Sequence, residues 1–415
     1  MKNFLVHNDE VKEQMLSDIG VENIEKLFSQ IPTQARVKDF NLPEAISEMD
    51  VQKEIKQLAR LNKSDFIEFK GGGVYNKFIP ACIAQIAQRF EFLTAYTPYQ
   101  AEISQGTLQV MYEFQTMMAK LTGMDIANAT VYDGATACAE AILMAARISK
   151  KTKALIHKNI NPEYLRVIKT YTWASNIEIE IVENIPENTS DYACLLVQTP
   201  DYYGEILNIT KPQDTLLVVC TDLSSLSILK PPAEYDADIV VGDIQALGIP
   251  MNFGGPHAGI LACKEKFMRQ LPGRLAGRTV DKDGNQAFTL TIQTREQHIK
   301  REKATSNICS NQALMGLWAT LYLSVMGEKG FRQAGYLSTK KAHLLAEKLS
   351  KKGYNVLNKN FYNEFVIETP DSDIFLSKLE EVNISGGIKL DDKKILIAVT
   401  EMISNSDIDL YTETV

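Results

Sequence analysis

Apolar positions recur at two different spacings along this chain, and the expected elements change where the spacing does. Residues 1–64 are polar with helical periodicity. Asn8 is placed to cap VKEQMLSDI, and Val21 to Gln30 forms a second short amphipathic turn. Pro32 and Pro43 break the pattern, so this stretch is expected to form a helical arm that packs on something else, such as a partner chain. Between 103 and 121, Val110, Met111, Phe114, Met117, Met118 and Leu121 share one helical face, and Gly123 ends that helix. Asp133-Gly134 opens an alanine-rich helix that runs to Ser149. Short apolar runs follow: ALIH (154–157), IEIEIV (177–182), YACLLVQ (192–198), LLVVCTD (216–222) and ADIVVGD (237–243). Strands of this kind, bounded by turn residues, are buried on both faces of a mostly parallel sheet.

From Asn311 a long helical pattern leads into a second region with FYNEFVIET (361–369), a helix near DIFLSKLEEV (373–382) and KILIAVTEM (394–402). The expected organisation is an arm over 1–64, a large α/β domain over 65–310, and a linker helix with a small α+β domain over 311–415. The closing pattern SDIDLYTETV reads as a helix cut short at Val415.

Composition narrows the function classes. Of 415 residues, 45% are hydrophobic and 23% charged, and the net charge is −8, so a basic nucleic-acid footprint is not expected. An acidic chain is also not drawn to anionic membrane surfaces. No apolar run approaches the roughly 20 residues of a membrane span. The start, MKNFLVHNDEVKEQML, is too charged for a secretory signal, and a cytoplasmic location is expected. Cys82, Cys138, Cys194, Cys220, Cys263 and Cys309 are scattered singly, which suits reduced, mostly buried thiols and not a zinc site. His7, His157 and His343 read as surface or packing residues. No metal-binding His spacing, nucleophile elbow or phosphate-binding P-loop is present.

Several residues carry candidate chemistry, each beside a plainer reading. Asp133 to Ala137 sit where a loop becomes a helix. Free amides and the hydroxyl of Thr136 make an anion site there, and a simple N-cap by Asp133 explains the same residues. Asp222 ends a strand, either as a turn residue or as a carboxylate facing the cleft where α/β proteins bind ligands. In pyridoxal-phosphate (PLP) enzymes such an aspartate holds the pyridine nitrogen protonated. The lysine such an enzyme needs would follow the next strand, ADIVVGD, yet no lysine lies between Lys230 and Lys264. Without that amine no internal Schiff base forms. The loop with Tyr96, Thr97, Pro98, Tyr99 and Glu102 presents hydroxyls and a carboxylate on a proline-stiffened backbone, for a ligand or simply for packing. Arg295 to Lys303 reads as a charged, solvated or interface helix face. Thr305, Ser306 and Asn307 are placed to cap the long helix.

The strings GGGVYNKFIPA, FLTAYTPYQAEISQGTLQ, VYDGATACAEA, GIPMNFGGPHAG, LPGRLAGRTVD and QTREQHIKREKATSNICSNQAL, spread over most of the chain, closely resemble the glycine cleavage system P-protein family. The resemblance is to the α chain that some bacteria make separately from a β chain. It implies a PLP-dependent transferase fold of the aspartate-aminotransferase type (type I), with a large mostly parallel sheet and a smaller C-terminal α+β domain. It implies a partner, P-protein subunit 2, in a heterodimer or heterotetramer, with PLP bound covalently by that partner. The implied reaction decarboxylates glycine and passes the aminomethyl group to the lipoyl arm of the H-protein. The position matching the partner's lysine is near Gln245, which makes Thr136, Asp222 and Gln245 a vestigial cofactor pocket. Thr305, Ser306 and Asn307 would reach the partner's PLP phosphate. Tyr96, Thr97, Pro98, Tyr99 and Glu102 would line its glycine pocket or lipoyl channel. A stand-alone PLP enzyme and a non-catalytic scaffold are the alternatives.

Overall fold

The computed structural model describes residues 7–37, 39 and 41–415, so the first six residues of the polar amino-terminal stretch lie outside the described residues. The chain divides into two compact units, Met1–Ser64 and Asp65–Val415. In the first unit Asn8 caps the helix Asp9–Ile19 by accepting from Val11 N at 2.9 Å. The short helix Ile24–Leu27 and the helix Glu48–Ala59 follow. No described residue of this unit is buried, and Met15, Ile19, Met49, Ile55 and Leu61 are exposed.

The second unit is built on a seven-stranded sheet. Its strands are β1 (Ile126–Ala127), β2 (Lys153–His157), β3 (Glu178–Val182), β4 (Cys194–Gln198), β5 (Leu216–Cys220), β6 (Ile239–Asp243) and β7 (Gly259–Cys263). The spatial order is β1-β7-β6-β5-β4-β2-β3. Strands β2 to β6 pair in parallel, and β7 runs antiparallel to both of its neighbours. Successive side chains point to opposite faces of a strand. One face accordingly carries Ile156, Leu196, Val218 and Val241 against the alanine-rich helix Gly134–Ser149. The other carries Leu155, Leu195, Leu217 and Val240 with Phe114, Met118 and Tyr322. One expectation changes: IEIEIV forms the edge strand β3, and Glu178 and Glu180 are exposed. Charged edge residues of this kind hinder further strand pairing.

The helix Gln105–Thr122 ends at Gly123 in the left-handed region, as the pattern predicts. It carries a hairpin, Leu275–Val280 with Gln286–Thr291, absent from the sequence reading. Leu108, Met111, Phe288 and Leu290 form the packed seam between them. The long helix Ala313–Lys351 is broken at Gly327, where φ is 59° and ψ is −179°. Its later half covers a four-stranded sheet ordered Asn355–Val356, Glu364–Glu368, Lys394–Ala398 and Ile388–Asp391. Every pairing in that sheet is antiparallel.

Candidate functional site

The carboxyl ends of the parallel strands, where ligands of α/β folds bind, carry the first polar cluster. Asp133 caps its helix by accepting from Thr136 N at 2.6 Å, and Asp243, at the end of β6, accepts from Gly134 N at 3.0 Å. Two carboxylates thus occupy the amides that a free helix N-terminus would offer an anion. Space is closed as well, because a Cβ on Gly134 would meet the Tyr164 hydroxyl at 2.5 Å. Asp222 accepts from Ser224 N at 2.9 Å and from its hydroxyl at 2.8 Å. Burial raises its pKa.

Gln245 is buried and fully engaged. Its Oε1 accepts from Tyr75 N at 2.8 Å, while Nε2 donates to Tyr75 O at 3.0 Å and Ile249 O at 2.8 Å. Tyr75 in turn donates to Glu364 Oε2 at 2.6 Å, and Gly72 N donates to Oε1 at 2.6 Å. Burial pushes the Glu364 carboxyl up to about 7. A lysine does come near this cleft, from a segment that motif spacing did not flag. The buried Lys77 donates to Glu401 Oε2 and to the Ser338 hydroxyl, both at 3.3 Å. Desolvation favours its neutral amine, but Tyr362, Glu401 and Asp222 outweigh that and hold the ammonium above its ordinary range. What space remains among Gly72, Asn161, Tyr164, Asp222, Asn363 and Glu364 is a cavity of about 40 Å3.

The second cluster joins two loops through one arginine. Arg274, only 3% exposed, opens the hairpin. Its Nη1 donates to Thr97 Oγ1 at 3.4 Å, Ser310 Oγ at 3.3 Å and Asn311 Oδ1 at 3.4 Å. Its Nη2 donates to Tyr99 Oη at 3.1 Å and to Cys309 O at 2.8 Å, and the guanidinium carbon lies 5.3 Å from the centre of the Tyr99 ring. Glu296 Oε2 stands 3.7 Å from its Nε. Gln115 fixes the hairpin beside it, exchanging bonds with the Ala276 backbone at 2.8 and 3.0 Å.

The expected site residues fall into both clusters. Thr136, Asp222 and Gln245 belong to the cleft. Thr97 and Tyr99 turn their hydroxyl oxygens inward to Arg274, and Pro98 is buried. Tyr96, 82% exposed, and Glu102 face outward. Thr305, Ser306 and Asn307 do not cap the long helix, whose N-cap position, Gln312, makes no side-chain cap bond. The reason is distance along the chain, since the loop continues for five residues beyond Asn307 before the helix begins. Instead Ser306 Oγ donates to Glu140 Oε1 at 2.7 Å and accepts from Ile308 N at 3.1 Å, while Thr305 N donates to Arg295 O at 2.9 Å. Residues 295–303 form short turns and a four-residue helix, not one charged helical face. Arg295 is buried, donating to the carbonyls of Leu271 and Gly273. The sequence reading gave no role to Arg274, Tyr75, Lys77 and Glu364, and it took Arg295 for part of a charged helix face. For Arg274, Tyr75 and Lys77 the only signal lay in the arginine of LPGR and in the Y-N-K of GGGVYNKF, both without a recognised spacing. Among the described residues, no group of three or more His, Cys, Asp or Glu is placed to hold a metal ion.

Residues 2–414 match the family model described as glycine cleavage system P-protein. A relative from Carboxydothermus hydrogenoformans, described as a probable glycine dehydrogenase (decarboxylating) subunit 1, is 46% identical and covers 98% of this chain and 97% of its own. One of the same description from Chloroherpeton thalassium is 45% identical over 99% of this chain. A crystal structure of glycine decarboxylase (P-protein) of the glycine cleavage system, in inhibitor-bound form, superposes with a TM-score of 0.92 at 38% identity, covering 99% of both chains. An aspartate aminotransferase from Thermus thermophilus, 11% identical, superposes with a TM-score of 0.58, which is a likeness of fold alone. The fold is that of the type I PLP-dependent transferases, and the chain belongs to the glycine cleavage system P-protein family.

Proposed function

We propose that this chain is the half of a two-chain, glycine-decarboxylating P-protein that does not hold the cofactor. A second subunit carries the PLP, and the pair decarboxylates glycine and hands the aminomethyl group to the lipoyl arm of the H-protein. The observation that carries this reading is Gln245. An amide held by three hydrogen bonds stands after β6 and supplies no amine. The surrounding residues do not fit PLP either. The helix amides that would take its phosphate are occupied by Asp133 and Asp243, whose charges oppose a second anion. The cavity of about 40 Å3 admits a few waters and not a pyridine ring. Lys77 is held protonated and is no nucleophile. Thr136, Asp222 and Gln245 are thus remnants of a cofactor pocket whose space this chain's own side chains have filled.

The contribution to chemistry then runs across the interface. The loop with Tyr96, Thr97, Pro98, Tyr99 and Glu102 faces the partner's glycine pocket or lipoyl channel, and Thr305, Ser306 and Asn307 approach its PLP phosphate. One observation favours a purely supporting role instead: the Thr97 and Tyr99 oxygens already accept from Arg274. The cysteines are unpaired, and among the described residues no helix is long and apolar enough to cross a membrane. We place the complex in the cytoplasm, as either αβ or α2β2. The test is glycine–bicarbonate exchange with this chain alone, with the second subunit alone, and with both, alongside visible absorption after PLP is added to each. Activity and absorbance are expected only where the second subunit is present, and Gln245→Lys is expected to create neither. A PLP absorption band from this chain by itself would overturn the reading.

A further inference from the structure

We propose that Arg274 is a positioning residue that fixes the Tyr99 hydroxyl by donating to its oxygen, leaving its proton to donate to the carboxylate of glycine. The inference rests on the reading above that this loop faces the partner's pocket.

A guanidinium has five N–H donors and no acceptor. Wherever it meets a hydroxyl, the hydroxyl oxygen must therefore accept. Arg274 Nη2 donates to Tyr99 Oη at 3.1 Å, so the phenol keeps its own proton free to donate elsewhere. Thr97 also accepts from Arg274, but its oxygen lies 3.4 Å from the Ser310 hydroxyl, which can take its proton. Tyr99 is therefore the better donor of the two, and the residue as a whole is half-exposed. Its ring is also held from behind, by the guanidinium at 5.3 Å and by the edge of His298 at 5.7 Å.

Arg274 also sets the relative placement of the two loops assigned to the partner. It bonds Thr97 and Tyr99 on one side, and Cys309, Ser310 and Asn311 on the other. A lysine keeps the charge but offers a single nitrogen in place of the fork, so it cannot hold both loops in this geometry.

The experiment uses the complex of this chain with its cofactor-bearing subunit. KM for glycine and kcat are measured for Tyr99→Phe, Arg274→Lys and the double variant, with co-elution checked for each. Tyr99→Phe is expected to raise KM about tenfold with kcat within about twofold. Arg274→Lys is expected to do the same, and the double variant to be no worse than either single change. A merely structural arginine would lower the number of active sites and leave KM unchanged. If Tyr99→Phe raises KM while Arg274→Lys leaves it at the wild-type value, or if the two effects multiply, the positioning role is wrong. If Tyr99→Phe and Tyr96→Phe both keep the wild-type KM, the loop does not face glycine, and the reading beneath the proposal falls with it. Should Arg274→Lys fail to co-elute, Tyr99→Phe decides, because it keeps the guanidinium and its bonds to Thr97, Cys309, Ser310 and Asn311.

Discussion

Glu364 shows what filling a pocket with polar side chains costs. Its carboxyl is pushed up to about 7 by burial, against an ordinary value of 4.5. Between those two values the folded chain holds a proton that the unfolded chain has released. Stability from this group is therefore present in full below the unfolded value and is lost as pH rises through the folded one. Between pH 5 and pH 8 the loss comes to about 2–3 kcal/mol. Glu364→Gln keeps an acceptor for Gly72 N and a partner for the Tyr75 hydroxyl but does not titrate. Urea unfolding at the two pH values is expected to show the wild type losing about 2–3 kcal/mol more than the variant. Equal losses would mean that Glu364 ionises normally in the folded state.

At the scale of elements, two glycines serve different ends. Gly259 opens β7 against the start of the alanine-rich helix, where a Cβ would lie 2.1 Å from the Asp133 carbonyl oxygen. Contact excludes any side chain there. Gly327 has no atom within 4 Å of an added Cβ, so only its backbone matters. Its φ of 59° with ψ near 180° belongs to glycine almost exclusively. Gly327→Ala is expected to cost about 1–3 kcal/mol through backbone strain alone, read as a lowered melting temperature. An unchanged melting temperature would show that the break in the long helix straightens freely. The break could not be seen in the periodicity, because apolar positions continue on both sides of it.

For the whole molecule, the two units differ in what they bury. The Asp65–Val415 unit has cores on both faces of its large sheet and a third under the small sheet. The Met1–Ser64 unit buries no described residue and exposes Val11, Met15, Ile19, Ile55, Leu58 and Leu61. Apolar side chains left this open mark a surface for association. Removing residues 1–64 is expected to leave a cooperatively folding remainder whose melting temperature moves by less than about 2 °C, since no core is lost. The same deletion is expected to abolish co-elution with the second subunit. Retained co-elution would show that the arm is not what the partner holds.

Much of this was legible in one dimension because the signals are local. The parallel strands, the capped alanine-rich helix, the glycine stop at 123 and the missing lysine each follow from residues within one turn or one strand of each other. The long motifs carried the family in the same way. Tertiary structure alone decided how the cleft at the ends of the parallel strands is filled. Tyr75 meets Glu364, Lys77 meets Glu401 and Arg274 meets Thr97 across separations of 177 to 324 residues, and no spacing rule connects such partners. It also turned Thr97 and Tyr99 inward and buried Arg295, because a buried guanidinium must find acceptors wherever the fold brings them. Local chemistry determined which elements form and what this chain lacks, and long-range packing decided which polar groups satisfy one another.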